Sequence, residues 1–173
     1  RAAALRALGA SVDTGAHDLV RIGRAALMIL SPGVPPDAAP VAQARAAGVP
    51  VWAEAELGLR ALGGRVPYLA ITGTNGKTTT TAAVAHLLTI AGRRARAAGN
   101  IGTPLCDVAM GSEMAEVLAI ELSSFQLHDM PSVDPVVGVV TNLAPDHLDR
   151  YPSIADYYGD KMRMFVRARA SSL

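Results

Sequence analysis

The sequence lacks the features that mark secreted, membrane-spanning and nucleic-acid-binding proteins. Only one of its 173 residues is a cysteine, so no intrachain disulfide can form. Its 16 basic side chains nearly balance 15 acidic ones, which leaves no positive field to hold nucleic acid or an anionic membrane. Its apolar runs, such as residues 25–30 and 136–140, are far shorter than the roughly 18 residues that span a bilayer. We therefore predict a cytoplasmic protein that neither binds nucleic acid nor enters a membrane.

The composition and the two ends indicate a folded piece of a longer chain. Half of the residues are apolar, which is enough for a buried core. The chain starts at Arg1 without a methionine and stops at Leu173, directly after a predicted helix that has no stop signal. We expect both ends to be truncations.

Short apolar runs alternate with helical segments along the chain. Strands are predicted at residues 25–30, 49–52, 68–72, 117–121 and 135–141. Helices are predicted at residues 1–8, 38–47 (capped by Asp37), 54–62, 78–90 and 154–169. This alternation favours an α/β fold of two successive Rossmann-like units with mostly parallel sheets. Gly63 and Gly64, followed by Pro67, form the best candidate for a linker, so we place the boundary near Gly64.

A glycine-rich segment joins the strand at 68–72 to the helix at 78–90. Its residues are Gly73, Thr74, Asn75, Gly76, Lys77, Thr78 and Thr79. The backbone N–H groups of such a segment can surround a phosphate, with Lys77 meeting the terminal phosphates and the Thr78 hydroxyl binding Mg²⁺. Because Ile71 stands where the usual P-loop has glycine, the loop is a shortened variant. The alternative is an ordinary turn with a surface lysine, which the Gly-Lys-Thr core disfavours.

Further polar residues follow two other predicted strands. Glu121 ends the strand at 117–121, and Asp146, His147 and Asp149 follow the strand at 135–141. Since carboxyl ends of parallel strands face one ligand crevice, Glu121 is a candidate Mg²⁺ ligand and His147 a candidate metal ligand. The alternatives are a solvated carboxylate and a capping or surface histidine. Lys161, on the last helix, is by its local sequence a typical solvent-facing lysine.

Two turns carry groups that can hydrogen-bond a ligand. They are Ser31-Pro32-Gly33 and Gly99-Asn100-Ile101-Gly102, and a plain turn explains each of them equally well. The residues His86, Cys106 and His128 have no metal-ligand spacing, so we interpret them as structural and predict no zinc site.

Several stretches resemble the Mur ligase family. Residues 71–80 are similar to the ATP loop of that family, which also includes folylpolyglutamate synthases. Residues 99–104, 121–127 and 142–151 resemble the branch that adds D-glutamate. Residues 30–35 and 54–57 resemble the second half of its UDP-binding domain.

The resemblance implies a role for each candidate residue. Residues 73–79 would bind ATP, Thr78 and Glu121 would hold one Mg²⁺, and His147 would help to hold a second. Lys161 would be carbamylated and bind Mg²⁺, and Lys77, His147 and Lys161 would be the catalytic residues. The muramoyl substrate would be contacted by Ser31, Pro32, Gly33, Asn100, Ser123, Gln126 and His147.

The implied activity is the ATP-dependent addition of D-glutamate to UDP-N-acetylmuramoyl-L-alanine through an acyl phosphate, by a monomer, in peptidoglycan precursor synthesis. Residues 1–64 would be the last part of the UDP-substrate domain, and residues 65–173 the first part of a P-loop ATPase domain. The C-terminal domain that binds the amino acid would be absent, so we expect the isolated chain to be inactive. Two alternatives stay open: another amide ligase of the superfamily, and a nucleotide-binding module without catalysis.

Overall fold

The computed structural model describes residues 2–166 and contains eight α-helices and six strands in that range. The helices are α1 (Ala2–Ala7), α2 (Leu19–Ile22), α3 (Ala39–Ala46), α4 (Glu54–Leu62), α5 (Lys77–Ile90), α6 (Leu105–Met110), α7 (Ser124–His128) and α8 (Ile154–Met162). The strands are β1 (Met28–Leu30), β2 (Val51–Ala53), β3 (Tyr68–Thr72), β4 (Ala95–Gly99), β5 (Val117–Glu121) and β6 (Val137–Val140). A 3₁₀ turn, Arg163–Phe165, follows α8.

The main sheet has four parallel strands in the order β4-β5-β3-β6. Its register places Ile71 of β3 opposite Glu121 of β5 on one side and Val139 of β6 on the other. β1 and β2 form a separate two-stranded sheet. The prediction of an α/β fold with parallel strands is confirmed. Because the strands are parallel, the loops that follow β3, β5 and β6 leave the same edge of the sheet.

The core of the main sheet is formed by central strands whose side chains are covered on both faces. Ala70, Ile71, Leu118 and Ile120 are fully buried, as the continuous apolar runs of β3 and β5 predict. Helix α4 packs against α6 at Gly58, where an added Cβ would lie 2.5 Å from the Leu105 Cβ.

Several elements differ from the sequence predictions. The structure adds α2, β4, α6 and α7, which are all six residues or shorter. The predicted Asp37 cap is wrong: α3 begins after Ala38 without a side-chain cap, and a proline stands in its first turn, where a fixed φ suits a helix start. Helix α8 ends at Met162 and tightens into the 3₁₀ turn, while Arg169, the predicted end, lies outside the described residues.

The described residues form two compact units. One combines the residues of Arg1–Met28 with Pro36–Val51, and the other combines Ile29–Pro35 with the residues from Trp52 onward. Helix α4 therefore belongs to the larger unit, whereas the boundary near Gly64 stays a prediction. Across residues 2–166, each helix is too short or too polar to cross a bilayer.

Candidate active site

The glycine-rich loop after β3 is held in shape by backbone geometry and by the end of β6. Gly73 has φ +144°, and a Cβ on it would overlap the Thr141 hydroxyl. Gly76 has φ +79° and precedes the first residue of α5. The Asn142 side chain accepts from the Asn75 N–H at 3.1 Å and donates to the Asn75 carbonyl at 2.8 Å. The loop thus presents the N-terminus of a 14-residue helix, which favours an anion.

Lys77 is folded back over this loop. Its Nζ donates to the Gly73 carbonyl at 3.0 Å and to the Thr74 carbonyl at 2.9 Å. The ammonium therefore lies at the mouth of the loop, and its carbonyl contacts are ones that a bound phosphate can replace.

A buried carboxylate lies beside the loop, at the end of β5. Glu121 is 2% exposed; its Oε2 accepts from the Thr78 hydroxyl and its Oε1 accepts from the Asn100 amide, both at 2.8 Å. Within residues 2–166 no lysine, arginine or histidine forms an ion pair with it. Because a buried carboxylate is usually paired or bound to a metal, this position suits a cation.

The chain around Asn100 is fitted closely to Glu121. The Asn100 N–H donates to the Glu121 carbonyl at 2.9 Å. Gly99 has φ +99°, and a Cβ there would overlap the same carbonyl oxygen. The turn at 99–102 is therefore joined to the carboxylate through both its backbone and its side chain.

Lys161 is not the solvent-facing lysine that its local sequence suggests. It is 2% exposed, and its Nζ donates to the Gly73 carbonyl at 2.8 Å, so two lysines share one acceptor. Burial is the main cause that lowers the pKa of Lys161 to about 8; the charge of Lys77 adds to this effect and Asp146 opposes it. The amine is therefore unusually easy to deprotonate.

His147 lies half-exposed in a group of aromatic rings. Its ring centroid is 5.1 Å from that of Phe125 and 5.9 Å from that of Tyr157. Its backbone N–H donates to Asp146 Oδ1 at 2.8 Å, and its φ of 54° makes it the one non-glycine residue with positive φ in the described range. Such strained backbone is concentrated at functional sites.

Ser123 and Gln126 are engaged with each other. Ser123 caps α7, and Gln126 Oε1 accepts from both the Ser123 N–H and hydroxyl at 3.0 Å. Gln126 is 1% exposed, and its Nε2 has no hydrogen-bond partner in the described chain. Their contact with a substrate stays a prediction.

The turn at 31–33 and the residues interpreted as structural make no hydrogen bond to the glycine-rich loop within the described residues. Ser31, Pro32 and Gly33 form an exposed turn after β1, and no hydrogen bond within residues 2–166 joins it to the glycine-rich loop. Burial is the main cause that raises the pKa of the Cys106 thiol to about 12, with a hydrogen bond to Glu54 adding to it, so the protonated thiol is favoured. His128 Nδ1 lies 2.9 Å from Asp160 Oδ2.

The sequence resemblance matches Tyr157 to the family's helix but gives it no role in the site, and the structure places it at the centre of this group. Tyr157 is 1% exposed, its hydroxyl lies 3.3 Å from the Thr74 hydroxyl, and its ring contacts Lys161 and His147. The available signal was the four-residue spacing from Lys161, which places both side chains on one helix face.

Residues 71–172 match the family described as the Mur ligase middle domain. The chain belongs to the Mur ligase family. Among its relatives, the UDP-N-acetylmuramoylalanine–D-glutamate ligase of Frankia casuarinae is 46% identical over 172 residues, 99% of this chain and 36% of the relative. The ligase of the same name from Streptomyces avermitilis is 48% identical over 99% of this chain and 37% of its own length. The chain thus spans little more than a third of these Mur ligases.

A solved structure agrees with the fold. The MurF ligase from Thermotoga maritima, in complex with ADP, superposes with a TM-score of 0.53 at 21% identity and covers 75% of this chain and 37% of its own. The resemblance to Mur ligases that the motifs predict is confirmed by the family match and by these relatives.

Proposed function

We propose that the protein carrying this segment uses ATP to join D-glutamate to UDP-N-acetylmuramoyl-L-alanine, a step of peptidoglycan precursor synthesis. The observation that carries the proposal is the 46% identity, over 99% of the chain, to a ligase named for that reaction. The MurF ligase of similar fold was solved in complex with ADP, which supports the binding of a nucleotide by this fold. We place the activity in the cytoplasm, in a monomer, with residues 1–64 in the UDP-substrate domain and 65–173 in the ATP domain.

The phosphate loop is the proposed ATP site. Gly73, Thr74, Asn75, Gly76, Lys77, Thr78 and Thr79 would surround the phosphates with N–H groups, and Lys77 would turn from the loop carbonyls toward the terminal phosphates. The Thr78 hydroxyl and the unpaired Glu121 carboxylate fit one Mg²⁺. Within the described chain no cluster of three His, Cys, Asp or Glu side chains can hold a metal, so phosphates and water would complete its coordination.

Lys161 is the proposed carbamate. A neutral Nζ attacks the carbon of CO₂ and loses a proton, giving an N-carboxylate, and a pKa of about 8 increases the neutral fraction. The unmodified ammonium would repel a cation, so a second Mg²⁺ at Lys161 and His147 requires this change. Carbon-13 bicarbonate should give a carbamate NMR signal that Lys161→Met removes; a signal that persists in that variant contradicts the assignment.

The proposed reaction has two steps. An oxygen of the alanyl carboxylate attacks the γ-phosphorus, and the bond to the β–γ bridging oxygen breaks, releasing ADP. The D-glutamate amine then attacks the acyl carbon, phosphate leaves and the nitrogen loses a proton. The chain's own contribution is positioning and positive charge, supplied by the loop N–H groups and Lys77. Bound Mg²⁺ would add further neutralisation of the phosphate charge.

The substrate contacts proposed are Ser31, Pro32, Gly33, Asn100, Ser123, Gln126 and His147. Asn100 is the best supported of these, because it reaches Glu121 beside the phosphate loop. Asn100→Ala in the full-length protein should raise KM for the UDP substrate by a larger factor than it weakens nucleotide affinity, because the lost hydrogen bond to Glu121 also affects the proposed Mg²⁺ ligand. A change in nucleotide affinity alone would contradict the role.

The test of the function is acceptor-dependent ADP release by the full-length protein. With UDP-N-acetylmuramoyl-L-alanine present, D-glutamate, L-lysine, meso-diaminopimelate and L-alanine are compared, and turnover is expected with D-glutamate alone. Turnover with another amino acid would favour a different ligase of the superfamily. ATP binding without turnover with any acceptor would favour a nucleotide-binding module.

A further inference from the structure

One face of α8 contacts two consecutive residues of the phosphate loop. Tyr157 and Lys161 are four residues apart, so their side chains lie on the same face of the helix. Lys161 Nζ donates to the Gly73 carbonyl at 2.8 Å, and the Tyr157 hydroxyl lies 3.3 Å from the Thr74 hydroxyl. Tyr157 is 1% and Lys161 2% exposed; the Lys161 contact with Gly73 is buried, and the Tyr157 contact with Thr74 is partly buried.

The hydrogen-bond inventory of Thr74 decides which hydroxyl is the donor. A threonine hydroxyl has one proton and two lone pairs. Thr74 Oγ1 donates its proton to the Ala144 carbonyl and accepts from the Ala144 N–H, each at 3.0 Å. Only a lone pair remains for the third contact, so Tyr157 must donate. A phenylalanine would leave that lone pair without a partner.

The ring of Tyr157 contacts two other residues of the site. In the unmodified side chain, Lys161 Nζ is 4.4 Å from the ring centroid, within the range of a cation–π contact. The His147 ring meets the Tyr157 ring at 78°, with 5.9 Å between centroids. Tyr157 is therefore in contact with Thr74, Lys161 and His147 at once.

We propose that Tyr157 is a positioning residue, whose hydroxyl fixes Thr74 in the phosphate loop and whose ring fixes Lys161 and His147. The inference rests on the proposed function, because it assigns an ATP site to the loop. It predicts that the two parts of the side chain are separable. Loss of the hydroxyl weakens nucleotide binding, and loss of the ring reduces turnover further.

The hydroxyl is tested with Tyr157→Phe in the full-length protein. ATP affinity by calorimetry should fall by about two- to tenfold, the effect of one lost hydrogen bond, while the melting temperature changes little. In a Thr74→Val background the same change should have no effect, because the acceptor is gone. Tyr158→Phe is the matched control: its hydroxyl has no hydrogen bond to any residue of 2–166, and affinity should stay at the wild-type value.

The ring is tested with Tyr157→Leu. Its kcat should fall below that of Tyr157→Phe by tenfold or more, with KM for ATP close to that of the phenylalanine variant. Any of three results would overturn the proposal. The first is equal ATP affinity of wild type and Tyr157→Phe, and the second is an equal loss of affinity in the Thr74→Val background. The third is equal kcat of the leucine and phenylalanine variants. A wild-type protein that binds no ATP would instead overturn the proposed function itself.

Discussion

The two compact units differ in what they bury. The smaller unit buries only Val41, Ala44 and Val49 among its described residues, and its charges lie at the surface. The larger unit buries charged side chains as well, including Glu121 and Lys161. A surface pair such as Arg21–Asp13 in the smaller unit contributes about 0–1 kcal/mol, whereas burying a charge is costly unless it has partners. The buried charges therefore identify the part of the chain in which chemistry is expected.

The largest effect is expected from Gly73→Ala in the larger unit. The added methyl would overlap the Thr141 hydroxyl, and φ of +144° is unfavourable for alanine. ATP affinity should fall at least tenfold, and the unfolding free energy by about 1–3 kcal/mol or more. Gly64→Ala, with φ +71° and no neighbour within 4 Å, should cost about 1–2 kcal/mol of strain and leave affinity unchanged. Equal affinities of the two variants would contradict this account.

Packing inside the larger unit is tested at two helical glycines. Gly58→Ala would place a methyl 2.5 Å from the Leu105 Cβ and 2.6 Å from its carbonyl carbon, so urea unfolding should show a loss of about 1–3 kcal/mol. Gly159→Ala, on an exposed position of α8 with open space around it, should gain about 0.5–1 kcal/mol. An unchanged unfolding free energy for Gly58→Ala would mean that α4 and α6 can move apart to accommodate the methyl group at little cost.

The contact between His128 of α7 and Asp160 of α8 should make the unfolding free energy depend on pH. The hydrogen bond to Asp160 is the main cause that raises the pKa of His128 above its usual 6.5. The folded state then holds the proton more tightly, so the stabilisation is complete below about pH 6.5 and is lost as pH rises through the folded pKa. His128→Gln should remove this part of the pH dependence, and His86→Gln, an exposed change on α5, should not. The assignment would be contradicted if the His128-dependent part of the unfolding free energy, taken as wild type minus His128→Gln, rose with pH instead of falling.

The smallest effect is expected in the smaller unit. The Asp18 side chain accepts from the Arg21 N–H at 3.0 Å and caps the single turn of α2. Asp18→Ala should cost about 0.5–1 kcal/mol, because the cap is exposed. Hydrogen exchange at the Arg21 amide should accelerate, while amides of β3 keep their protection. Unchanged exchange at Arg21 would show that the cap does not stabilise α2.

The elements that the sequence predicted well are those with a local signal. A buried strand, a glycine-rich turn and a helix follow one another at residues 68–90. The apolar run predicts the strand, and the glycines followed by Lys77 and Thr78 predict the turn before the helix. Helix α7 was not predicted: the Ser123-x-x-Gln126 pair is a local signal for the start of a helix, but α7 is too short for periodicity to show it.

Other features depend on contacts between distant parts of the chain. β4 has the sequence Ala-Arg-Ala-Ala-Gly, which has low strand propensity, and it is a strand because it pairs with β5. The burial of Lys161 and the hydroxyl contact of Tyr157 arise because α8 packs against a loop more than 80 residues earlier. The four-residue spacing places Tyr157 and Lys161 on one helix face, but no local pattern shows which distant loop that face contacts.

The most direct test of the account is the Mg²⁺ dependence of nucleotide binding in the full-length protein. Calorimetry would compare ATP-analogue affinity with and without Mg²⁺ for wild type, Glu121→Gln and Glu116→Gln, the last being an exposed carboxylate next to β5. We predict that Mg²⁺ tightens binding in wild type and Glu116→Gln, and that Glu121→Gln loses most of this gain. An undiminished Mg²⁺ effect in Glu121→Gln would contradict the assignment of the buried carboxylate and of the site built around it.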